Sequence, residues 1–428
     1  MLIELYGQNF GCFRDEFRLS MLATDVDPDT DRGIIEARIE GDSEPLRLLR
    51  AVAIYGPNAS GKSTVLRAAG ALRYLVSKTH RLRSDSPLRP YEPFALGSAS
   101  KAPVRLGIKA VIDGRIYDYQ VQFDRTKFVS EQLVRLKADG ERVTLVDRVG
   151  QDVAGEWQDD ERFALLTKDF RSNTLLLSLA DILAPALAKQ IAVGIRQLLT
   201  NFKGSSYAWF LEGGSSVAKR ARDDADFSGW LLAHLRFADL GVVDLRTEEA
   251  KVAVRIHVGE TQAAADKEIE NDTRTAYRLS LMHSGEEGSF PIPYNRESGG
   301  TRRLIELAPL LYDLGHAKQP KAVFVDEIDE SLHPVLLQGL IRRFNCEVPL
   351  AESRGQLIFV THGTDLLDDE AKNAILRRDQ IYLTEKDNSG AARLFSVADF
   401  CERNNLNLRR RYLQGRYGAV PSLGTFAE

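Results

Sequence analysis

Gly56-Pro57-Asn58-Ala59-Ser60-Gly61-Lys62-Ser63-Thr64 sets two glycines four residues apart, followed by Lys and Ser, which is the pattern of a phosphate-binding loop. The loop demands a strand before it and a helix after it. Both are present: Leu46 to Tyr55 ends in the apolar run Val52-Ala53-Ile54, and Val65 to Val76 carries apolar residues at helical spacing. Without side chains at Gly56 and Gly61 the backbone amides can close on phosphate oxygens, and the following helix adds its positive N-terminal end. In that arrangement Lys62 pairs with the outer phosphates and Ser63 ligates Mg2+. A chain built around this loop is expected to bind ATP.

At 428 residues there is room for two or three domains, and 43% hydrophobic with 28% charged residues is the balance of a globular chain. The net charge of -4 and a pI near 6.1 exclude a whole-chain electrostatic footprint for nucleic acid, so DNA binding would need a local basic face. Cys12, Cys346 and Cys401 lie far apart without metal-ligand spacing, which suits a reducing, cytoplasmic location. No secretory or lipidation signal is visible, since Met1 to Tyr6 reads as a strand. The most apolar stretch, Thr174 to Ile195, is interrupted by Asp181, Pro185 and Lys189. It is expected to be buried helix, and no membrane association is expected.

Three short strands are expected before the loop: Leu2 to Tyr6, Phe17 to Leu22, and the strand entering the loop. Alternation from Val104 to Ile112, then Asp113-Gly114, then Arg115 to Phe123 predicts a hairpin, and Val143 to Val149 adds a strand. These form an antiparallel β subdomain. Residues 160 to 290 are expected as an inserted lobe, with helices at Thr174 to Phe202 and Phe227 to Ala238 joined by a loop at Gly213-Gly214. Strands follow at Ala253 to Val258 and Thr275 to Met282, around an acidic segment, Thr261 to Asp272. From residue 291 the core resumes: helix Arg302 to Leu314, strand Ala322 to Val325, helix Pro334 to Phe344, strand Leu357 to Val360. The expected fold is therefore α/β, a mostly parallel sheet whose halves, 1–159 and 291–428, are separated by the insertion.

Four stretches carry the chemistry. Besides the loop, Asp326 at the carboxyl end of Val323-Phe324-Val325 is placed to hold Mg2+ through water, and Glu327 beside it to polarise the attacking water. Ser298, Gly299 and Gly300 precede a helix and offer a second anion-binding end. His362 follows a core strand by two residues, within reach of the γ-phosphate.

Together these resemble the ABC-type ATPases of the branch related to SMC and RecF proteins. Gly56 to Thr64 resembles the Walker A loop, Glu297 to Thr301 the Ser-Gly-Gly signature, Val323 to Glu327 Walker B, Asp329 to His333 the D-loop and His362 the switch histidine. Asn9-Phe10, Ser331-Leu332-His333-Pro334, Arg378-Asp379-Gln380-Ile381 and Tyr412 to Pro421 are similar to bacterial AAA-family ATP-binding proteins of the abortive-infection and OLD-like defence type. One departure is the Q-loop glutamine, because the first Gln after Lys62 is Gln120, inside the hairpin.

The resemblance implies an ATPase whose site is completed by a second copy: Lys62, Ser63, Asp326, Glu327 and His362 from one subunit, Ser298 and Gly300 from the other. Association in ATP would then act as a switch, in a homodimer or higher oligomer that regulates a separate effector, a nuclease or toxin, in antiphage defence. A fused TOPRIM nuclease is not expected after Pro421. Two alternatives stay open: a RecF-like repair ATPase acting directly on DNA, and a non-hydrolysing scaffold that assembles on ATP. The Arg-rich tail, Leu408 to Tyr417, and the basic stretch Lys78 to Arg89 fit either nucleic acid binding or pairing with acidic surface.

Overall fold

The computed structural model describes residues 1–25, 31–183, 186–202, 207–238, 240–255, 271–346, 353–367, 374–400 and 407–421. Cys401 and most of the acidic segment Thr261 to Asp272 lie outside the described residues. Contacts divide the chain into two compact units, the first comprising Met1–Gly204, Leu314–Asp329 and Leu337–Glu428, the second Ser205–Asp313 and Glu330–Leu336.

In the first unit, strands β1 (Leu2–Gln8), β2 (Phe17–Ser20), β3 (Ile34–Ala37), β4 (Leu46–Leu49) and β5 (Ala51–Tyr55) precede helix α1 (Lys62–Lys78). Five strands thus stand where three were expected; β3 and β4 pair as a separate ribbon. Next come β6 (Val104–Ile112), β7 (Arg115–Phe123), β8 (Phe128–Leu136), β9 (Arg142–Val149) and β10 (Asp152–Ala154), then α2 (Glu161–Leu166), α3 (Leu176–Leu183), α4 (Ala186–Leu198) and β11 (Thr200–Phe202). The turn joining β6 to β7 has positive φ at both Asp113 (48°) and Gly114 (75°), the backbone that an Asp-Gly hairpin turn requires. One antiparallel sheet runs β10-β9-β8-β7-β6-β1-β2.

The second unit holds α5 (Tyr207–Asp223), α6 (Ala225–Phe237), the antiparallel strands β12 (Val242–Arg255), β13 (Asn271–Gly285) and β14 (Gly288–Pro293), and most of α7 (Gly299–Gly315). Helix α5 runs through Gly213-Gly214, where a loop was expected. The chain then returns to the first unit with β15 (Lys321–Val325), most of α8 (Pro334–Cys346), β16 (Gly355–Val360), β17 (Ile381–Lys386), β18 (Ala392–Ser396) and α9 (Leu408–Leu413). A six-stranded sheet in the order β11-β15-β16-β5-β17-β18 is parallel at every pairing except β17 with β18. The α/β class with a mostly parallel sheet is therefore what forms.

One hydrophobic core joins both sheets of the first unit. Val65, Ala68, Leu72 and Leu75 of α1 lie in it with Leu106 and Ile108 of β6, Phe324 of β15 and Ile358 of β16. Leu177 of α3 and Ile191 and Ile195 of α4 share that core. Residues 161–198 therefore pack as part of the first unit, and the second begins at Ser205 rather than at 160. The reason is their apolar face, which finds α1 as its nearest partner. Gln356, fully buried, also ties the sheets: its side chain accepts from Leu2 N (2.7 Å) and donates to Leu2 O (3.0 Å) and Leu49 O (3.2 Å). A single amide supplies bonds that a neighbouring strand would otherwise make.

Candidate functional site

Strand β5 is buried at every residue and lies between β16 and β17, so it delivers Gly56 to the carboxyl edge of the parallel sheet. The loop then turns through positive φ at Gly56 (150°), Ala59 (59°) and Gly61 (116°). Glycine is needed for space as well as for conformation. A Cβ at Gly56 would sit 2.4 Å from the Thr384 carbonyl oxygen, and one at Gly61 would sit 2.8 Å from Cys12 Sγ. Helix α1 starts at Gly61 with no side-chain cap and no acidic residue in its first turn, which leaves its N-terminal end suited to an anion.

Lys62 is 6% exposed, and its ammonium donates to the carbonyls of Gly56 and Pro57, both at 2.9 Å. Burial pushes its pKa below the ordinary lysine value, opposed by the carboxylates of Asp326, Glu327 and Asp329. The hydroxyl of Ser63 donates to Asp326 Oδ1 at 3.1 Å. Two oxygens from residues 263 positions apart in sequence thus converge at the loop. Ser60 Oγ and Thr384 Oγ1 lie 2.5 Å apart, and Thr384 Oγ1 also donates to the Tyr55 carbonyl at 3.2 Å, which pins the loop to β17. Asn58 and Ala59 at the crown of the loop are exposed, and Thr64 is buried beneath it.

Beyond β15, Glu327 takes a left-handed backbone (φ 46°) and is exposed. For a residue with a Cβ this conformation is uncommon and costs on the order of 1 kcal/mol. Asp329 Oδ2 accepts from the backbone N–H of His362 at 3.1 Å, and the exposed His362 follows Thr361 off the end of β16. Tyr55 OH donates to the Gly363 carbonyl at 3.1 Å. Burial raises the Tyr55 phenol well above its ordinary pKa, with Asp329 adding to the shift, so it remains a donor. Lys62, Ser63, Asp326, Glu327 and His362 therefore all belong to the first unit, at one edge of one sheet.

Ser298, Gly299 and Gly300 belong to the second unit. Ser298 Oγ accepts from Thr301 N at 3.1 Å and so caps α7, while remaining exposed. A Cβ on Gly300 would come within 2.9 Å of the Ser331 carbonyl oxygen, and Ser331 itself has φ 61°. The signature loop and the D-loop segment are thus fitted backbone to backbone. Thr384 and Tyr55 were not singled out in the sequence. The one signal for Thr384 is a hydroxyl at the end of an otherwise apolar strand run, Ile381-Tyr382-Leu383.

The residues fit an ATP phosphate chain with Mg2+. The loop packs too closely on Thr384 and Cys12 to admit a Cβ at Gly56 or Gly61, and the ammonium of Lys62 is desolvated and donates to carbonyls. The Ser63 and Asp326 oxygens are the hard donors that Mg2+ takes. Among the described residues no helix is long and apolar enough to cross a membrane.

A model of the family described as "AAA domain, putative AbiEii toxin, Type IV TA system" matches residues 51–368, about three quarters of the chain, from the first residue of β5 to beyond His362. The chain belongs to this family. The matched region contains every site residue that the sequence named, in both units, and stops short of Thr384. No protein of curated function matches the sequence. Among solved structures, the chain is similar to the SMC head bound to the C-terminal winged-helix domain of ScpA, at 13% identity and a TM-score of 0.39, covering 92% of this chain and 97% of that one. It is also similar to the recombination mediator RecF with ATP bound, at 12% identity and a TM-score of 0.30, covering 84% and 91%.

Proposed function

We propose that the protein binds and hydrolyses ATP with Mg2+, and that association of copies in ATP makes it a switch regulating a separate effector, a nuclease or toxin, in antiphage defence. The observation carrying this reading is the meeting of Ser63 and Asp326 at 3.1 Å beside the buried Lys62. The family description, which names a toxin of a toxin–antitoxin system, supports the defence setting.

In this mechanism the backbone amides from Asn58 to Thr64 and the Lys62 ammonium hold the outer phosphates. Ser63 and Asp326 hold the metal, which when bound neutralises charge on the transferring phosphoryl group. Glu327 orients the attacking water and takes its proton, and His362, steadied through Asp329, donates to the γ-phosphate side. Ser298 and Gly300 of a second copy close the site, so hydrolysis loosens the pair.

Light scattering with ATP and Mg2+, run beside a phosphate-release assay, tests both halves. Glu327→Gln is expected to hold a larger assembly in ATP and to release phosphate at least about a hundredfold more slowly than the wild type. Equal size with and without nucleotide in both proteins removes the association step. Phosphate release by the variant at the wild-type rate removes Glu327 as the base.

A further inference from the structure

We propose that the first unit carries a docking surface for the phosphate backbone of nucleic acid, built from three loops at the end of α1 away from the phosphate loop. The 17 residues of α1 set that end roughly 25 Å from the loop at 1.5 Å per residue. Loop 79–90 follows α1 directly, and the other two loops are residues 124–127, between β7 and β8, and 168–173, before α3.

Hydrogen bonds bind the three into one surface. Leu88 N donates to the Arg125 carbonyl at 2.8 Å, and Phe128 N to the Ser172 carbonyl at 2.9 Å. The fully buried Asn173 donates to the carbonyls of Arg83 (2.7 Å) and Ser86 (3.0 Å), and Arg171 donates to the His80 carbonyl at 2.8 Å. The loops are therefore fixed against each other by backbone and side-chain hydrogen bonds, while their cationic side chains stay exposed. Arg81, Arg83, Arg89, Arg125, Lys127 and Arg171 are all exposed.

Charge is what sets the surface apart. Residues 78–89, 124–127 and 168–171 carry eight Lys and Arg against three Asp, in a chain whose net charge is -4. One of the three, Asp124, is turned inward to its own turn, accepting from Thr126 N (2.7 Å), Thr126 Oγ1 (2.9 Å) and Lys127 N (2.9 Å). Among the described residues none of the six exposed cations lies within salt-bridge distance of a carboxylate. Elsewhere on the unit cations such as Arg18, Arg105 and Arg115 are paired with Glu4, Glu16 and Glu40. Eight cations against three aspartates leave the surface with a net positive charge whose members repel, and a polyanion removes that cost while releasing its own counterions. A membrane surface is disfavoured because the large exposed apolar residues, Leu96 and Leu165 among them, lie outside these loops, leaving nothing to insert.

Fluorescence anisotropy of a labelled 30-base-pair duplex, with the full chain, tests the surface across a salt series. The wild type is expected to bind, with log K falling by about 0.9 per phosphate contact for each log unit of salt. Arg83→Glu with Arg125→Glu and Lys127→Glu is expected to weaken binding at least tenfold and to flatten that slope. The same variant keeps the wild-type affinity for a fluorescent ATP analogue, so failure of this surface is distinguishable from failure of the ATPase reading. The exposed pair Lys137→Glu and Arg142→Glu, on the hairpin of β8 and β9, serves as a charge-reversal control and leaves DNA binding within about twofold. Equal loss in the control, an unchanged slope in the loop variant, or no binding by the wild type at low salt overturns the proposal. So does binding to vesicles containing phosphatidylserine with none to the duplex.

Discussion

Lys62 is a cation held in a buried place by two carbonyls, and removing it should separate binding from stability. Charged hydrogen bonds contribute about 1.5–3 kcal/mol each, so Lys62→Ala is expected to weaken ATP by roughly a hundredfold or more. The melting temperature without nucleotide should change little, because the lost ammonium was itself poorly solvated. Isothermal titration beside a thermal scan checks both. Thr384→Val removes the hydroxyl's contacts to Ser60 and to the Tyr55 carbonyl and should cost about 1–2 kcal/mol, roughly five- to thirtyfold in ATP affinity. A larger expense attaches to Glu131 and Arg148, which are 1% and 0% exposed with a 3.6 Å approach. Burial raises the Glu131 pKa against the pull of Arg148, and the carboxylate also accepts from the amides of Leu176 and Leu177. Glu131→Ala leaves a guanidinium buried without that partner, and chemical denaturation should report a loss of about 3–5 kcal/mol. Lys62 and Ser63 were legible from the spacing of the loop, and Asp326 from its place at the end of an apolar strand. Glu131 was not, and it also hid its strand: a charged residue at an inward position of Phe128–Leu136 breaks the alternation by which a strand is recognised.

At the scale of elements, the tail helix α9 makes one acidic pairing of the kind its arginines allowed, together with an aromatic contact they did not announce. Tyr412 meets the ring of Tyr55 edge-on at 5.8 Å, and Arg409 pairs with Asp365 at 2.7 Å, in the segment that follows His362. The Arg409 pair is about a third exposed, so Arg409→Ala should cost no more than about 1 kcal/mol. Tyr412→Ala opens a cavity against the residue before the phosphate loop and should cost about 3 kcal/mol and slow ATP turnover, as denaturation and phosphate release would record. The nearby motif Arg378-Asp379-Gln380 has a similarly internal task. Asp379 accepts from Thr24 N (2.8 Å) and from the guanidinium of Arg377 (2.9 and 3.0 Å), and Gln380 exchanges hydrogen bonds with Asn345. Helices and strands with clean periods, α1, β5, β6, β7, β15 and β16, could be read directly from the sequence. The loop expected at Gly213-Gly214 could not, because two glycines signal a break only when the surrounding fold supplies no reason to continue the helix.

For the whole molecule, ATP should act as a stabiliser of the first unit. At a hundred times its dissociation constant a ligand adds about 2.7 kcal/mol, so a thermal scan of the wild type should shift upward with ATP while Lys62→Ala stays put. The parallel sheet carries a consequence in time. β5 pairs on one side with β16, Ala51 against Leu357, and on the other with β17, Ala53 against Ile381. Both neighbours are made some 300 residues after β5 leaves the ribosome, which at about 5–20 residues per second is a delay of roughly 15–60 s. During that interval the apolar run Ala51 to Tyr55 has neither partner strand, and the phosphate loop has no edge from which to work. A nascent copy is therefore silent until β16 and β17 have been made, and in the meantime it is a client for chaperones.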